Sequence, residues 1–293
     1  MLELANTYSP ITDTKPEIPG WYSSPKMDGV RCLYVPGQGL MSRSGKTRYV
    51  GFDAIESFCA SLNQSLDGEL YIPGEPFDLI SGIARKKTKF DPADKLRMQY
   101  HIFSIPNFAD TTLDMVAYIS QITSASTSAS ASASVSASAS ASASASASAN
   151  ANNVVAVPYT YVENIPTAIQ AQNEVNGSIG FPEGTMLRHP ITPYVVGRTR
   201  NLLKVKNFVR SNFLITGFTK GSGKYSKSLG SVTVSGMVGN QIITSKVGGG
   251  FSDVLRQQIW DNQSQYLGVV VEVVYLGVTS GKKLRHPIFA AIV

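Results

Sequence analysis

The sequence contains few of the residues that build disulfide frameworks and metal centres, with two cysteines and three histidines in 293 residues. Cys32 and Cys59 are too few for a disulfide scaffold and lack the spacing of a metal site, which favours buried thiols in a reducing compartment. No apolar run has the length of a membrane span or the form of a secretory signal. These absences predict a soluble intracellular protein without membrane contact.

The charge is mildly basic. Lysine and arginine number 26 against 20 aspartate and glutamate, which gives a formal net charge of +6 and a pI near 9.2. A basic protein gains affinity for a polyanion through counterion release, so this balance favours a nucleic-acid partner, although many basic proteins bind none. Apolar residues make up 43% of the chain, enough to bury two modest cores.

Five short motifs follow one another along the chain. They are Lys26-Met27-Asp28-Gly29-Val30-Arg31, Leu66-Asp67-Gly68-Glu69-Leu70, Tyr100-His101-Ile102-Phe103, Glu183-Gly184-Thr185-Met186-Leu187-Arg188 and Leu202-Leu203-Lys204-Val205-Lys206. One such motif alone usually marks a turn at a strand end, whereas the ordered series is typical of covalent nucleotidyltransferases. The series resembles that of the ATP-dependent DNA ligases, specifically the minimal viral and bacteriophage type (Chlorella virus ligase-like). The resemblance covers nearly the whole chain.

The first part of the chain is predicted to be a mixed α+β domain with antiparallel sheets, because short β-type runs alternate with polar segments. The runs are residues 32–35, 69–72, 99–104, 154–157 and 202–205. One helix is predicted with Asp110 as its N-cap, and another with Asn164 as its N-cap and Gly177 at its end. By resemblance, residues 1–209 form the nucleotidyltransferase (adenylation) domain.

Residues 124–149 alternate almost strictly between serine and alanine. The tract carries no charge and almost no large apolar side chain, so it cannot bury enough surface to fold alone. Residues 124–150 are therefore predicted to be a disordered insert. Strict alternation also resembles a silk-like strand, which leaves aggregation as an alternative.

The second part of the chain, residues 210–293, is predicted to form an oligonucleotide/oligosaccharide-binding (OB) barrel, because five strands with one helix after the third fit this fold. The predicted strands are residues 213–218, 231–234, 241–244, 269–275 and 289–293. The helix is predicted to be capped by Ser252 or Asp253 and to end near Trp260. A glycine-rich tract before it, with Arg256 following, resembles a segment of ligase barrels.

Covalent transfer of AMP requires an unprotonated nucleophile, and a lysine amine with an ordinary pKa of about 10.4 is mostly protonated at neutral pH. Positive neighbours lower such a pKa, so Lys204, Lys206 and a bound Mg²⁺ (or Mn²⁺) would help. The resemblance implies that Lys26 attacks the α-phosphate of ATP and releases pyrophosphate.

The remaining nucleotide contacts follow from the resemblance. Asp28 is implied in catalysis and Arg31 in binding polar groups of the nucleotide or DNA. The resemblance implies that Glu69 contacts the ribose and that Glu183 contacts a metal ion. Both are candidate metal ligands, because Mg²⁺ prefers hard oxygen ligands. Phe103 is implied in stacking on adenine, although a core aromatic is the simpler interpretation of a phenylalanine at a strand end.

Contacts with nicked duplex DNA and closure of the barrel are also implied by the resemblance. Guanidinium groups suit bidentate phosphate binding, and the candidate DNA-binding residues are Arg43, Arg188, Arg198, Lys220, Lys224 and Lys227. Arg285 belongs to a barrel element that folds over the nucleotide in relatives. A solvated surface location is the alternative for each of these residues.

The chain departs from these relatives in three places. Ser104 stands where an acidic residue often follows the phenylalanine, and Ala290-Ala291-Ile292-Val293 replaces further basic residues. Residues 219–229 offer only a short Gly/Ser/Lys stretch in place of a long basic hairpin. The phosphate contacts are therefore expected to be weaker and strongly salt-dependent.

The predicted function is an ATP-dependent DNA ligase that seals 5′-phosphate/3′-OH nicks through a lysyl-AMP and a DNA-adenylate intermediate, acting as a monomer. Alternatives are an mRNA capping guanylyltransferase or an RNA ligase of the same superfamily, and a catalytically inactive DNA-binding module. Glu183-Gly184 at the start of the fourth motif and Val205 in the fifth fit a DNA ligase better than a guanylyltransferase.

Overall fold

The computed structural model describes residues 2–8, 20–136, 153–165, 183–206 and 208–293, with only the backbone of residues 125–136. The chain forms two compact units, Met1–Lys206 (unit one) and Asn207–Val293 (unit two). No helix in the described ranges has both the length and the apolar character that crossing a bilayer requires.

The described residues of unit one form two five-stranded sheets. The first has the order β1-β10-β9-β2-β8 and the second the order β4-β3-β5-β6-β7. The strands of the first sheet are β1 (Glu3–Thr7), β2 (Trp21–Lys26), β8 (Thr160–Val162), β9 (Gly184–Arg188) and β10 (Gly197–Lys206). Those of the second are β3 (Val30–Val35), β4 (Gly39–Ser42), β5 (Leu66–Tyr71), β6 (Gln99–Ser104) and β7 (Val154–Ala156). Neighbours are antiparallel except for the parallel pairs β1–β10 and β6–β7, which confirms the predicted α+β class.

In the part of unit one that the structure describes, four helices accompany these sheets: α1 (Asp53–Ser61), α2 (Phe77–Arg85), α3 (Pro92–Leu96) and α4 (Thr112–Ser136). The largest apolar core lies under the second sheet, where alternate residues of β3, Val30, Cys32 and Tyr34, are buried against helix residues such as Ile55 and Ile80. This alternation is the pattern of a strand with one face in a core. Cys32 and Cys59 are buried free thiols in this core, and burial raises the pKa of both.

Helix α4 starts later than predicted and runs further. Thr111, not Asp110, acts at its N-terminus: its hydroxyl accepts the Asp114 N–H at 3.3 Å, and the Asp114 carboxylate accepts the Thr111 N–H at 3.2 Å. The helix continues to Ser136, so the structure describes residues 124–136 as helical, whereas the sequence predicts disorder there. Alanine favours helix once a packed first half has formed the nucleus. Residues 137–150 lie outside the described residues, as does most of the helix predicted from Asn164 to Gly177.

Lys95 occupies an apolar position in unit one. Its side chain is buried, with Nζ 4.3 Å from the ring centre of Phe52 and 5.0 Å from that of Phe90, and it donates to the Ala84 carbonyl at 3.3 Å. Burial lowers the pKa of Lys95 to about 8. Taking a charged group out of water is costly, so this lysine is expected to reduce stability.

We expect Lys95→Met to raise the free energy of unfolding at pH 7 by about 1–2 kcal/mol, because an apolar side chain of similar size replaces a buried ammonium. The native pKa lies near 8 and the ordinary value is 10.5, so the unfolded chain binds more protons between these pH values and wild-type stability rises there. The difference in the free energy of unfolding between Lys95→Met and the wild type should therefore become smaller above pH 8. Urea unfolding at several pH values measures it. Lys87→Met, at an exposed position, is the control. A difference that widened with rising pH would contradict this.

Unit two is a five-stranded antiparallel sheet with the order β13-β12-β11-β14-β15. Its strands are β11 (Val209–Lys220), β12 (Leu229–Val238), β13 (Gln241–Val247), β14 (Val270–Tyr275) and β15 (Ile288–Ile292). A bridge between Gly249 and Ile288 links the segment after β13 to β15 and helps to close the barrel. The five predicted strands are present, and the OB architecture is confirmed.

Helix α5 (Asp253–Asp261) follows β13 as predicted, and the short α6 (Gln263–Tyr266) comes after it. Ser252 is the N-cap of α5, since its hydroxyl accepts the Leu255 N–H at 3.1 Å. Arg256 on α5 is buried and donates to the carbonyls of Leu229, Gly230 and Gly248. Arg256 thus ties the glycine-rich tract to β12, a structural role within the barrel.

Candidate active site

Unit one contains a cavity of about 270 Å³ whose wall brings together most of the residues predicted for the site. This volume lies just below the range of about 300–1,000 Å³ that is typical of small-molecule sites. The predicted residues on the wall are Lys26, Arg31, Arg43, Glu69, Phe103, Arg188, Arg198 and Lys204. The cavity is therefore the candidate active site.

Lys26 stands at the end of β2, directly opposite Gly184 on β9, and the Glu183 N–H donates to its carbonyl at 3.0 Å. Gly184 also lies opposite Lys206 on β10. Its φ of 147° and the 1.9 Å that would separate a Cβ from the Val205 carbonyl oxygen exclude any other residue there. This close approach of β9 to β10 places the side chain of Glu183 between the two lysines.

Glu183 binds both lysines. One carboxylate oxygen contacts Lys26 Nζ, and the other lies 3.1 Å from Lys206 Nζ. Burial opposes ionisation of Glu183, but the charges of Lys26 and Lys206 outweigh it, and the net effect lowers the pKa of this carboxyl. The Lys26 amine is thus held by a charged partner whose geometry is set by three neighbouring strands.

Lys204 lies two residues before Lys206 on β10 and lines the cavity. Burial lowers the pKa of Lys204, and the positive charges of Lys206, Arg198 and Lys26 lower it further. Positive charge is therefore concentrated at this wall. A wall of this charge attracts anions such as phosphate groups.

Glu69 lies on β5, opposite Arg31 on β3 and His101 on β6. Burial raises the pKa of Glu69 to about 8, with Lys26 and Arg31 acting in the opposite direction. At neutral pH this carboxyl therefore keeps its proton, and it can donate a hydrogen bond as well as accept one. The predicted metal contact of Glu69 stays a prediction.

Arg31 and Phe103 form an adjacent part of the wall, with the guanidinium carbon of Arg31 5.4 Å from the ring centre of Phe103. Arg31 is also bound by the buried carboxylate of Asp67 through two hydrogen bonds, of 3.0 Å from Nε and 2.5 Å from Nη2. Phe103 is only partly buried and faces the cavity rather than the apolar core, so its ring is open to a ligand.

Arg188 lies on the cavity wall but is buried, in an ion pair of 2.5 Å with the buried carboxylate of Glu3. Arg188 is the last residue of β9, and Glu3 already binds its buried guanidinium. Its contact with DNA stays a prediction. Arg43 and Arg198 are exposed at the cavity, and Arg198 also donates to the Ala5 carbonyl at 2.7 Å. Their phosphate contacts stay predictions.

The remaining predicted residues are Asp28 in unit one and four basic residues of unit two. Asp28 is in the turn between β2 and β3, two residues from Lys26, and is partly buried. Lys220, Lys224 and Lys227 are exposed in unit two, where Lys224 lies 3.8 Å from the Asp253 carboxylate. Arg285 is partly buried in the same unit, with its N–H donating to the Gly277 carbonyl at 2.8 Å.

Several residues at the site were not predicted from the sequence. Asp67 is part of the second motif. Its charge is opposite to that of Arg31, which lies on the neighbouring strand, so this ion pair could have been predicted from the sequence. Glu3 and Tyr194 gave no signal, because hydrogen-bonded partners 191 residues apart show no local pattern. An exposed basic run at residues 85–89, with Arg85, Lys86, Lys87 and Lys89, was readable in the sequence as a phosphate-binding candidate.

The described residues contain no group of three or more His, Cys, Asp or Glu side chains that could hold a metal ion by themselves. Magnesium in nucleotide sites is usually bound by one or two carboxylates together with substrate phosphates. The ionised carboxylate of Glu183, beside Lys26, fits one such ligand. The residues therefore fit a divalent ion that arrives with phosphates rather than one that stays in the protein.

The chain is similar to known DNA ligases. The family described as DNA ligase OB-like domain matches residues 220–292, within unit two. A DNA ligase of Haemophilus influenzae is 25% identical over 276 residues, covering 92% of this chain and 85% of that protein.

Solved structures of ligases share the fold. A Lig E DNA ligase structure superposes with a TM-score of 0.73 at 21% identity, over 100% of this chain and 98% of the other. The ATP-dependent DNA ligase of bacteriophage T7, in complex with ATP, gives 0.52 at 17% identity, and the Chlorella virus DNA ligase-adenylate gives 0.51 at 22%; both matches cover 100% of this chain and 98% of the other.

These relatives favour a DNA ligase over a capping guanylyltransferase, an RNA ligase or an inactive module. They also agree with the resemblance that the five motifs predicted. The chain is thus similar to DNA ligases in sequence and shares its fold with solved DNA ligase structures.

Proposed function

We propose that this ligase uses ATP to join the 5′-phosphate and 3′-hydroxyl ends of a nick in duplex DNA, with Lys26 as its covalent nucleophile. One observation carries the proposal: the Lys26 amine lies at a cavity lined by cations, in contact with the carboxylate of Glu183. Lysine forms covalent intermediates only where its surroundings hold and activate the amine.

In the first step the lone pair of Lys26 Nζ attacks the α-phosphorus of ATP. A P–N bond forms, the bond from the α-phosphorus to the bridging oxygen breaks, and pyrophosphate leaves. The amine gives up its proton, and Glu183, in contact with Nζ, is the nearest acceptor. Lys204 and Lys206 stabilise the negative charge that develops on the phosphate oxygens.

The next two steps transfer and release AMP. An oxygen of the DNA 5′-phosphate attacks the same phosphorus and the P–N bond breaks, which returns the amine of Lys26. The 3′-hydroxyl then attacks the 5′-phosphate, the new phosphodiester bond forms, and AMP leaves. Asp28, two residues from Lys26, is proposed to orient the reacting groups.

The nucleoside is proposed to lie between the two sheets. Phe103 offers a partly exposed ring for the base, and the protonated carboxyl of Glu69 suits a ribose hydroxyl. Arg31 borders both groups. A divalent ion, Mg²⁺ or Mn²⁺, would be held by Glu183 and the phosphates, where it supplies positive charge to the transition state.

The DNA contacts are proposed to come from exposed cations of each unit. In unit one these are Arg43 and Arg198 at the cavity and the basic run at residues 85–89. In unit two they are Lys220, Lys224 and Lys227, in and beside the loop between β11 and β12. Arg285 is proposed to act on the pyrophosphate in the first step.

Replacing Lys220, Lys224 and Lys227 together by alanine should weaken binding to nicked duplex and lower the slope of log K against log [salt] by up to about 3 units, since each lost phosphate contact removes about 0.9. Fluorescence anisotropy at several salt concentrations measures the slope. Lys246→Ala, an exposed lysine on β13, is the control for a change in net charge. An unchanged slope would remove this loop from the DNA interface.

The intact mass of the protein after incubation with ATP and a divalent ion tests the proposal. An AMP adduct that is reversed by pyrophosphate supports the first step. Absence of any adduct in folded protein would contradict the proposed nucleophile.

A further inference from the structure

Arg31 is held in the cavity wall by a closed ring of hydrogen bonds that joins the two sheets of unit one. Its Nη2 donates to the Glu3 carbonyl at 2.8 Å, and Nε and Nη2 bind the carboxylate of Asp67. Tyr194 completes the ring: its hydroxyl donates to Asp67 at 3.0 Å and accepts the Glu3 N–H at 2.9 Å. Glu3 belongs to the first sheet, and Arg31 and Asp67 belong to the second.

Both carboxylates among the ring residues, those of Glu3 and Asp67, are buried. The Glu3 side chain is buried and pairs with Arg188, which anchors β1 to β9. Asp67 is completely buried, so its charge depends on the three hydrogen bonds that it accepts. Burial and the charge of Asp67 raise the pKa of Tyr194, so its hydroxyl remains a donor to Asp67 at any ordinary pH.

The ring leaves Arg31 oriented for a ligand. In the described part of the chain Nη1 donates to no protein group, while the guanidinium carbon lies 5.4 Å from the ring centre of Phe103 on the same wall. Leu4 and Ala5, which follow Glu3 on β1, line the cavity too. A shift of β1 would therefore move both Arg31 and this part of the wall.

We propose that Tyr194 is a positioning residue for nucleotide binding, which acts through Asp67 and Glu3 to fix Arg31 and strand β1 at the cavity. The proposal rests on the proposed function, because the ligand that Arg31 meets is the adenylate donor. Tyr194 itself does not line the cavity. Its effect is therefore expected on binding rather than on the chemical step.

The test is Tyr194→Phe, which keeps the ring and removes the hydroxyl. We expect the KM for ATP in self-adenylation to rise about tenfold, the size of effect that loss of a hydrogen bond to a charged group produces, with kcat changed by less than about threefold. Tyr118→Phe is the matched control, since it removes another partly buried hydroxyl of unit one, bonded to Gln64 at 3.2 Å and away from the cavity. An unchanged KM, or an equal change in the control, would overturn the proposal.

Two further measurements separate this role from a general loss of stability. Titration with ATP in the absence of divalent ions should give a tenfold weaker Kd for Tyr194→Phe, and less than about a twofold further change when Arg31→Ala is already present. Hydrogen exchange of the Glu3 amide should become faster in Tyr194→Phe, whether or not the protein is active. Equal effects in both backgrounds, or unchanged exchange, would refute the ring. If Tyr194→Phe showed faster exchange but the wild-type protein formed no AMP adduct, the ring would stand and the proposed function would be refuted.

Discussion

Lys26→Ala should abolish formation of the AMP adduct, with the rate of self-adenylation reduced on the order of 10⁴-fold or more, as expected when a covalent nucleophile is removed. The reason is geometric. Lys204 and Lys206 are on β10, and Glu183 binds the amine of Lys206. Neither amine therefore occupies the position of the Lys26 amine on β2. A neighbouring lysine is therefore not expected to substitute. Intact-mass measurement with ATP and a divalent ion gives the readout.

The same variant should keep two other properties. Binding to nicked duplex should remain close to wild type, because Lys26 supplies one charge among many. Sealing of a nick that already carries the 5′-adenylate should continue, since the last step needs no amine nucleophile. If Lys26→Ala formed the AMP adduct at the wild-type level, Lys26 would not be the nucleophile. An unfolding curve of the variant is the control that it is folded.

Glu183→Ala should lower the rate of self-adenylation at least about 100-fold and raise the concentration of divalent ion needed for half-maximal rate. The carboxylate holds Lys26 and Lys206 at once, and without it the like charges of these two lysines, on the strands either side of β9, repel each other. Glu183→Gln retains the shape but not the charge, so it should keep some orientation of the amine and still show the altered dependence on divalent ion. Rates across a titration of Mg²⁺ distinguish the two effects.

Glu75→Gln is the control for Glu183, because Glu75 also pairs with a cation, Arg97, but lies away from the cavity. It should leave both the rate and the ion dependence unchanged. If Glu183→Ala were as active as this control, the carboxylate between the two lysines would have no catalytic role, and a different group would have to orient Lys26.

Many of the residues that the sequence predicts for the site lie together at one cavity because their motifs lie on strands of the two sheets. Lys26 and Lys204 belong to β2 and β10, on either side of β9, and the register of these strands brings their side chains to one wall. The barrel was predictable for a related reason: alternation along each strand and the serine cap of α5 are local signals.

Other features depend on contacts between distant parts of the chain. The burial of Arg188 follows from its partner Glu3 on β1, a strand that the sequence pattern did not predict. The ring through Tyr194 has the same origin. The extension of α4 into the Ser-Ala tract was missed because disorder was judged from the inability to form a core, whereas a helix that is already packed can continue through alanine.

Sealing of a labelled 5′-phosphorylated nick by the wild-type protein, with ATP and Mg²⁺, tests the central claim most directly. A denaturing gel separates substrate, adenylated DNA and joined product. The proposed function predicts joined product, preceded by a small amount of adenylated DNA. If folded protein gave neither species, the assignment of nick sealing to the cavity around Lys26 would be contradicted.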